Sequence, residues 1–237
     1  MNSSHTDHIV KSYDNELNRL TGEIVRMGDL AVAQLESAIH ALSARDTEAA
    51  TAVISGDAAI DALELEVGRD ALQLLVARAP MARDLREVIA ALRISSDIER
   101  IGDYASNVAK RSRILNQNDP VKLASALPLL ADLAGELVSE VLAAYRDRDA
   151  DRALVVWTRD EQLDDLYTGL FRELLTYMME DPRTITPCTH LLFMAKNIER
   201  IGDHATNIAE NIYFLVHGEA IPQTRRKGEG VYDTPAQ

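Results

Sequence analysis

Apolar residues recur at steps of three and four along almost the whole chain. Ile9, Tyr13, Leu17, Leu20, Ile24, Met27, Ala31, Leu35, Ile39 and Leu42 form one stripe between His8 and Ser43, with no proline inside it. That period predicts a long amphipathic helix. Asp46-Thr47-Glu48 opens a second helix with Asp46 as its N-cap. Ser55-Gly56-Asp57 is read as a break or kink, after which Asp57 caps a continuation to Arg78. Ala79-Pro80 ends that helix, and a third starts at Met81 and stops between Asn116 and Pro120, since proline is tolerated at a helix start.

The plan then repeats. A fourth helix is predicted from Leu123 to Arg146, with Pro128 marking a later start. A fifth runs from Asp149 to Glu180, with a break near Thr158 to Asp160. Asp181-Pro182 and Pro187 bracket a turn, a sixth helix runs from Cys188 to Val216, and Gly218 is its natural stop. No segment alternates with the period of a strand. The expected fold is all-α, two tandem three-helix bundles with six main helices. The units are residues 8–117 and 118–217, followed by a disordered tail, 218–237, rich in Gly, Pro, Lys, Arg and Gln.

Two blocks make the repeat explicit. Asp97-Ile98-Glu99-Arg100-Ile101-Gly102-Asp103-Tyr104-Ala105-Ser106-Asn107 is followed a hundred residues on by Asn197-Ile198-Glu199-Arg200-Ile201-Gly202-Asp203-His204-Ala205-Thr206-Asn207. Self-similarity in register marks two copies of one unit. On a helical wheel Ile98, Ile101, Ala105 and Val108 share one side, and Glu99, Asp103 and Asn107 share the other. Ile198, Ile201, Ala205 and Ile208 stand likewise against Glu199, Asp203 and Asn207.

A second acidic pair precedes each block, Asp57/Asp61 in the first copy and Asp160/Asp164 in the second. Folding each helix back on the next as an antiparallel hairpin brings the pairs together. Asp57 with Asp103, and Asp61 with Glu99, are both centred on Pro80. Asp160 with Asp203, and Asp164 with Glu199, are both centred on Asp181-Pro182. Four carboxylates therefore converge in each repeat. Like charges four apart destabilise a helix by about 0.2–0.5 kcal/mol per pair, so arginines, protonation or a metal ion must compensate. A ligand set that is nearly all oxygen suits Mg²⁺, Mn²⁺, iron or zinc. His190 and His204 could add nitrogen in the second repeat, but the Glu-x-x-His motifs of ferritin-like di-iron sites are missing. The opposing reading is a pair of solvated faces, with Arg100, Arg200 and Lys196 as salt-bridge partners. Gly102 and Gly202 sit toward the core, where a small residue lets a neighbouring helix approach.

Composition narrows the function. Lys and Arg number 25 against 38 Asp and Glu, a net charge of -13, which argues against nucleic acid as the main partner. The clearest basic run, Arg225-Arg226-Lys227, lies in the tail. Aromatics are 5% of residues while hydrophobics are 46%, which suits helix-on-helix packing. One cysteine, Cys188, builds neither a disulfide framework nor a thiolate metal site, and fits a reducing cytoplasm. No apolar run approaches the length of a membrane span. There is no P-loop and no Gly-x-Ser-x-Gly elbow.

Together with Met27-Gly28 and Pro80-Met81-Ala82-Arg83-Asp84-Leu85-Arg86, the two Ile-Glu-Arg-Ile-Gly-Asp blocks give the chain a resemblance to the PhoU family from about His8 to Glu219. That resemblance implies a tandem three-helix bundle, usually a homodimer. It implies multinuclear iron or zinc, as bound by some members, on Asp57, Asp61, Glu99, Asp103, Asp160, Asp164, Glu199 and Asp203. It also implies negative regulation of phosphate uptake and of the phosphate-starvation response, through a sensor histidine kinase and the ATPase subunit of a phosphate ABC transporter. The alternatives are a metal-dependent phosphohydrolase, in which paired metals activate water, and a metal-free helical scaffold.

Overall fold

The computed structural model describes residues 3–78 and 83–222. The turn at Pro80, the start at Met81 and the Arg225-Arg226-Lys227 run lie outside the described residues, as do the side chains of Ile9 and Tyr13.

Among the described residues seven α-helices follow in order: α1 Ser3–Ala44, α2 Thr47–Gly56, α3 Ala58–Arg78, α4 Arg83–Leu115, α5 Leu127–Asp147, α6 Ala150–Glu180 and α7 Ile185–His217. The six long ones are the six expected, with the short α2 as the detached first piece of the second. Helices α1 to α4 form one bundle and α5 to α7 the other. They are joined through α1 against α5 and α4 against α7, so one hydrophobic core runs through both. The stripe of α1 from Leu17 to Leu42 is buried throughout.

The two repeats share their corners. Arg45 and Arg148 both take a left-handed backbone conformation, φ 54°. The next residue in each case, Asp46 or Asp149, sends its amide back to the carbonyl of Ala41 or Ala144 at 2.9 Å. Each aspartate then caps the following helix, accepting from Glu48 N and Ala49 N, or from Arg152 N. This is the left-handed C-terminal stop followed at once by an N-cap, written twice. Gly218 (φ 79°) ends α7 in the same left-handed conformation.

Three expectations are corrected. Asp57 does not cap α3 in the extended conformation of an N-cap; its backbone is helical (φ -53°, ψ -40°), and its carboxylate accepts from Gln34. Helix α6 is unbroken at Thr158 to Asp160. Where the first repeat has Gly56, the second has Arg159, and its guanidinium bonds Glu140 at 2.7 Å and Glu136 at 3.1 Å on α5, which holds that turn in the helix. Pro187 does not delimit the last turn. It lies in the first turn of α7, where the backbone N–H groups have no intrahelical acceptor, so the helix begins at Ile185. The linker adds a short 3₁₀ segment, Lys122–Ala126, before α5 starts one residue ahead of Pro128.

Candidate functional site

Each repeat pairs its acidic motifs across a close helix contact. In the first, α3 lies so near α4 at Gly102 that a β-carbon there would stand 2.8 Å from Ile60 Cδ1 and 3.5 Å from Asp57 Oδ1. In the second, a β-carbon at Gly202 would collide with Asp160 Oδ1 and Leu163 Cδ2. Glycine costs about 1 kcal/mol against alanine inside a helix; here the missing side chain is what admits the neighbour. The contacts place Asp57 beside Gly102 and Asp160 beside Gly202, the register expected of the hairpins.

The first cluster is held open to solvent. Gln34 Nε2, from α1, donates to Asp57 Oδ1 at 2.8 Å and to the Gly102 carbonyl at 3.1 Å, bracing the junction of α2 and α3 against α4. Arg100 lies 3.4 Å from Glu99 and 3.5 Å from Asp103. Burial raises the Asp61 carboxyl above its ordinary range, and the charges of Asp57 and Asp103 raise it further. Glu99 is raised by burial, then by Asp103, against the pull of Arg100.

The second cluster is drier. Asp160 is 1% exposed and Glu199 8%. Lys196 Nζ donates to Glu199 Oε1 at 2.6 Å, while the buried Glu199 Oε2 has no hydrogen-bond partner among the described residues. Burial raises the Glu199 carboxyl, opposed by the Lys196 hydrogen bond and reinforced by Asp203 and Asp164.

The candidate nitrogen donors are engaged elsewhere. His204 Nδ1 lies 2.8 Å from Asp97 Oδ1 on α4, and His190 Nδ1 lies 3.4 Å from Arg111. Asn207 donates to Asp97 at 3.3 Å, and Asn107 accepts from Lys110 at 3.3 Å. Arg200 stands over the Tyr104 ring.

The donor chemistry of both clusters suits a hard or borderline cation, and mutual repulsion among their carboxylates is the cost a cation would relieve. Among the described residues, though, no three His, Cys, Asp or Glu side chains gather in an arrangement that could hold an ion. Arg100 and Lys196 hold the glutamates instead. Two residues that the sequence did not flag shape the site, Gln34 and Asp97. Gln34 is a polar residue on the apolar stripe of α1, between Ala31 and Leu35. Asp97 stands where the second block has Asn197.

Two stretches of the chain, residues 24–112 and 127–212, match the family model described as PhoU domain. The chain belongs to the PhoU family. It is 57% identical over 227 residues to the phosphate-specific transport system accessory protein PhoU homolog of Xylella fastidiosa, covering 96% of each chain. It is 51% identical to the protein of the same description from Caulobacter vibrioides, covering 94% of this chain and 97% of that one. A crystal structure of PhoU from Pseudomonas aeruginosa superposes with a TM-score of 0.84 at 36% identity, covering 87% of this chain and 100% of that one. The phosphate transport system regulatory protein PhoU from Streptococcus pneumoniae gives 0.83 at 29% identity, covering 89% and 100%. These relatives are described as an accessory or a regulatory protein of phosphate transport and not as enzymes, and the chain is placed with them and not with phosphohydrolases. Among the described residues no helix is long and apolar enough to cross a membrane.

Proposed function

We propose that the chain is the accessory regulator of a phosphate-specific transport system, acting at the cytoplasmic face as a negative regulator of phosphate uptake and of the phosphate-starvation response. In this reading it is a homodimer that links the ATPase subunit of the transporter to a sensor histidine kinase. The observation that carries the proposal is the full-length likeness to proteins of that description. The shape supports it. The acidic motifs stand on the helix pairs α3/α4 and α6/α7, while cavities of about 350, 650 and 590 Å³ are lined by other residues. Acidic helix faces outside those cavities suit contact with other proteins or ions better than enclosure of a small substrate.

The eight carboxylates Asp57, Asp61, Glu99, Asp103, Asp160, Asp164, Glu199 and Asp203 are proposed to bind iron or zinc, or else manganese or magnesium. The bound ion would neutralise charge that each bundle otherwise carries at its own expense. A metal-free scaffold is the competing reading.

Elemental analysis of untagged protein beside a variant with Glu99, Asp103, Glu199 and Asp203 changed to alanine tests the metal. Stoichiometric metal in the parent alone supports it, and none in either leaves the scaffold. The regulatory reading has its own test in a phosphate-responsive reporter. Deleting the gene should raise expression in phosphate-rich medium, and an unchanged reporter would sink negative regulation.

A further inference from the structure

Helices α4 and α7 run antiparallel along one seam, with Asp97 against His204 near its middle and Arg111 against His190 toward one end. Residues a hundred apart occupy equivalent places at opposite ends of that seam. The repeat makes the two ends alike in shape, but the sequence makes them unlike in charge. Asp97 and Glu210, with Arg93 beside them, line a groove toward the other end, where Trp157 Nε1 donates to Glu210 at 3.1 Å. Their counterparts toward the Arg111 end are Asn197 and Lys110, and beside Lys110 stands Arg111 where the groove has Asn211.

Ring contacts run along the whole seam, Tyr104 with His204 near its middle and Tyr213 with His217 toward the acidic end, and the basic end adds an exposed aromatic under a cation. The Arg111 guanidinium lies 4.2 Å above the Phe193 ring, and Lys196 Nζ lies 5.2 Å above Tyr167. Tyr167 in turn packs on Phe171 at 6.2 Å. With Arg200 over Tyr104 at the middle of the seam, these are all the cation–π pairs among the described residues. Phe193 is 50% exposed and Lys110 is exposed. Among the described residues no carboxylate pairs with Arg111, although the chain carries 38 acids. Burial lowers the affinity of Arg111 for its proton, and burial together with Arg111 does the same for His190.

We infer that the basic, aromatic end of the α4/α7 seam, around Lys110, Arg111, His190 and Phe193, is the docking surface for an acidic segment of a partner protein. This rests on the reading that the chain works by binding protein partners, and names the face that does so. Arginine and aromatic side chains dominate the energetics of protein interfaces. A guanidinium already stacked on a ring loses little freedom on binding, and stacking on Phe193 adds a cation–π contribution. The remaining surface of a chain with net charge -13 repels an acidic partner, so one basic patch both attracts and orients it. Asp103 and Asp203 on the same two helices flank the seam and oppose a broad polyanion such as an anionic bilayer or a nucleic acid.

The test places a photo-crosslinking benzoylphenylalanine at position 193 of the full chain in its own cells, with mass spectrometry of the joined peptides. The expected adduct is a protein segment of net negative charge. It should fall at least tenfold when Lys110 and Arg111 are both changed to glutamate, and should be missing when the photoprobe replaces Arg93, the counterpart of Phe193. Thermal unfolding checks the double variant; if that variant is misfolded, Lys110→Glu alone, at an exposed position, should still weaken the adduct severalfold. An adduct with lipid, with a second copy of this chain or with a segment lacking acids would overturn the proposal, as would no adduct at all. The reporter test separates the two readings. A normal reporter with the acidic adduct intact sinks regulation and leaves the docking surface, and a deregulated reporter without the adduct does the reverse.

Discussion

The two acidic clusters are spelled with nearly the same letters and sit in different media. In the first, Gln34 reaches across from α1 to Asp57, and Glu99 keeps 24% of its side chain in solvent beside Arg100. In the second, Asp160 is almost fully buried and the Glu199 side chain is 10% exposed, beside Lys196. The offset that relates Arg45 to Arg148 and Asp57 to Asp160 puts Leu137, a fully buried core residue, in the place of Gln34. A repeat can thus conserve the register of its charges while the helix packed against them sets how much each charge costs.

The largest expected contrast is steric. Gly202→Ala drives a methyl into the carboxylate of Asp160 and into Leu163, and overpacking of this kind costs about 1–3 kcal/mol. Gly102→Ala meets mainly the far end of the Ile60 side chain. The gain of about 1 kcal/mol in helix propensity should nearly offset that contact. Urea unfolding of the two variants should separate them by at least about 1 kcal/mol, and equal stabilities would show that the second junction is no tighter than the first.

Next is the brace. Gln34→Leu gives the first repeat the residue of the second and removes two hydrogen bonds. Water can replace them at half-buried Asp57 but not at the carbonyl of buried Gly102, so a loss of about 1 kcal/mol is expected. Faster amide exchange should appear at the junction of α2 and α3 and leave α6 untouched. Exchange that rises equally in both repeats would mean that Gln34 has no local role.

The smallest effect is electrostatic and carries a definite sign. Burial first, and neighbouring acids second, raise Glu199 and Glu99 above the ordinary carboxylate range. The folded chain therefore holds these protons more tightly than the unfolded one. Their charge opposes folding at neutral pH, and that penalty fades as the pH falls through the folded value to below the unfolded one. Without added metal, Glu199→Gln should raise the melting midpoint at pH 7 by roughly 1–3 °C, where about 1 kcal/mol corresponds to 2–4 °C for a chain of this size. Glu99→Gln should do less, being more exposed. A lower midpoint for Glu199→Gln would mean that the Lys196 pair outweighs the burial it accompanies.

Much of this was legible in the residues. The stripe from Leu17 to Leu42, the Asp46 and Asp149 caps and the Pro128 start fix where helices run, because each acts within a few residues along the chain. The equal spacing of the acidic pairs about the Asp181-Pro182 turn gave the hairpin register. The break predicted at Thr158 to Asp160 failed for a reason outside that local range, since Arg159 is tied down by two glutamates on another helix. Gln34 escaped notice because its partners are Asp57 and the backbone of Gly102, and Asp97 because its partners come from the other repeat.

By itself, then, the sequence determined six main helices in two copies of one plan, a resemblance to the PhoU family, and the hairpin register that sets the acidic pairs opposite each other. Helical period, capping and hairpin pairing are short-range consequences of backbone geometry, and a repeat displays them twice. Only the tertiary structure decided which cluster is dry, which histidine answers which charge, and that the α4/α7 seam carries Glu210 toward one end and Lys110, Arg111 and the exposed Phe193 toward the other. Those properties depend on how the helices pack within each bundle and on how the two bundles dock. The desolvation and opposing charges that a side chain meets there come from residues far away in the chain.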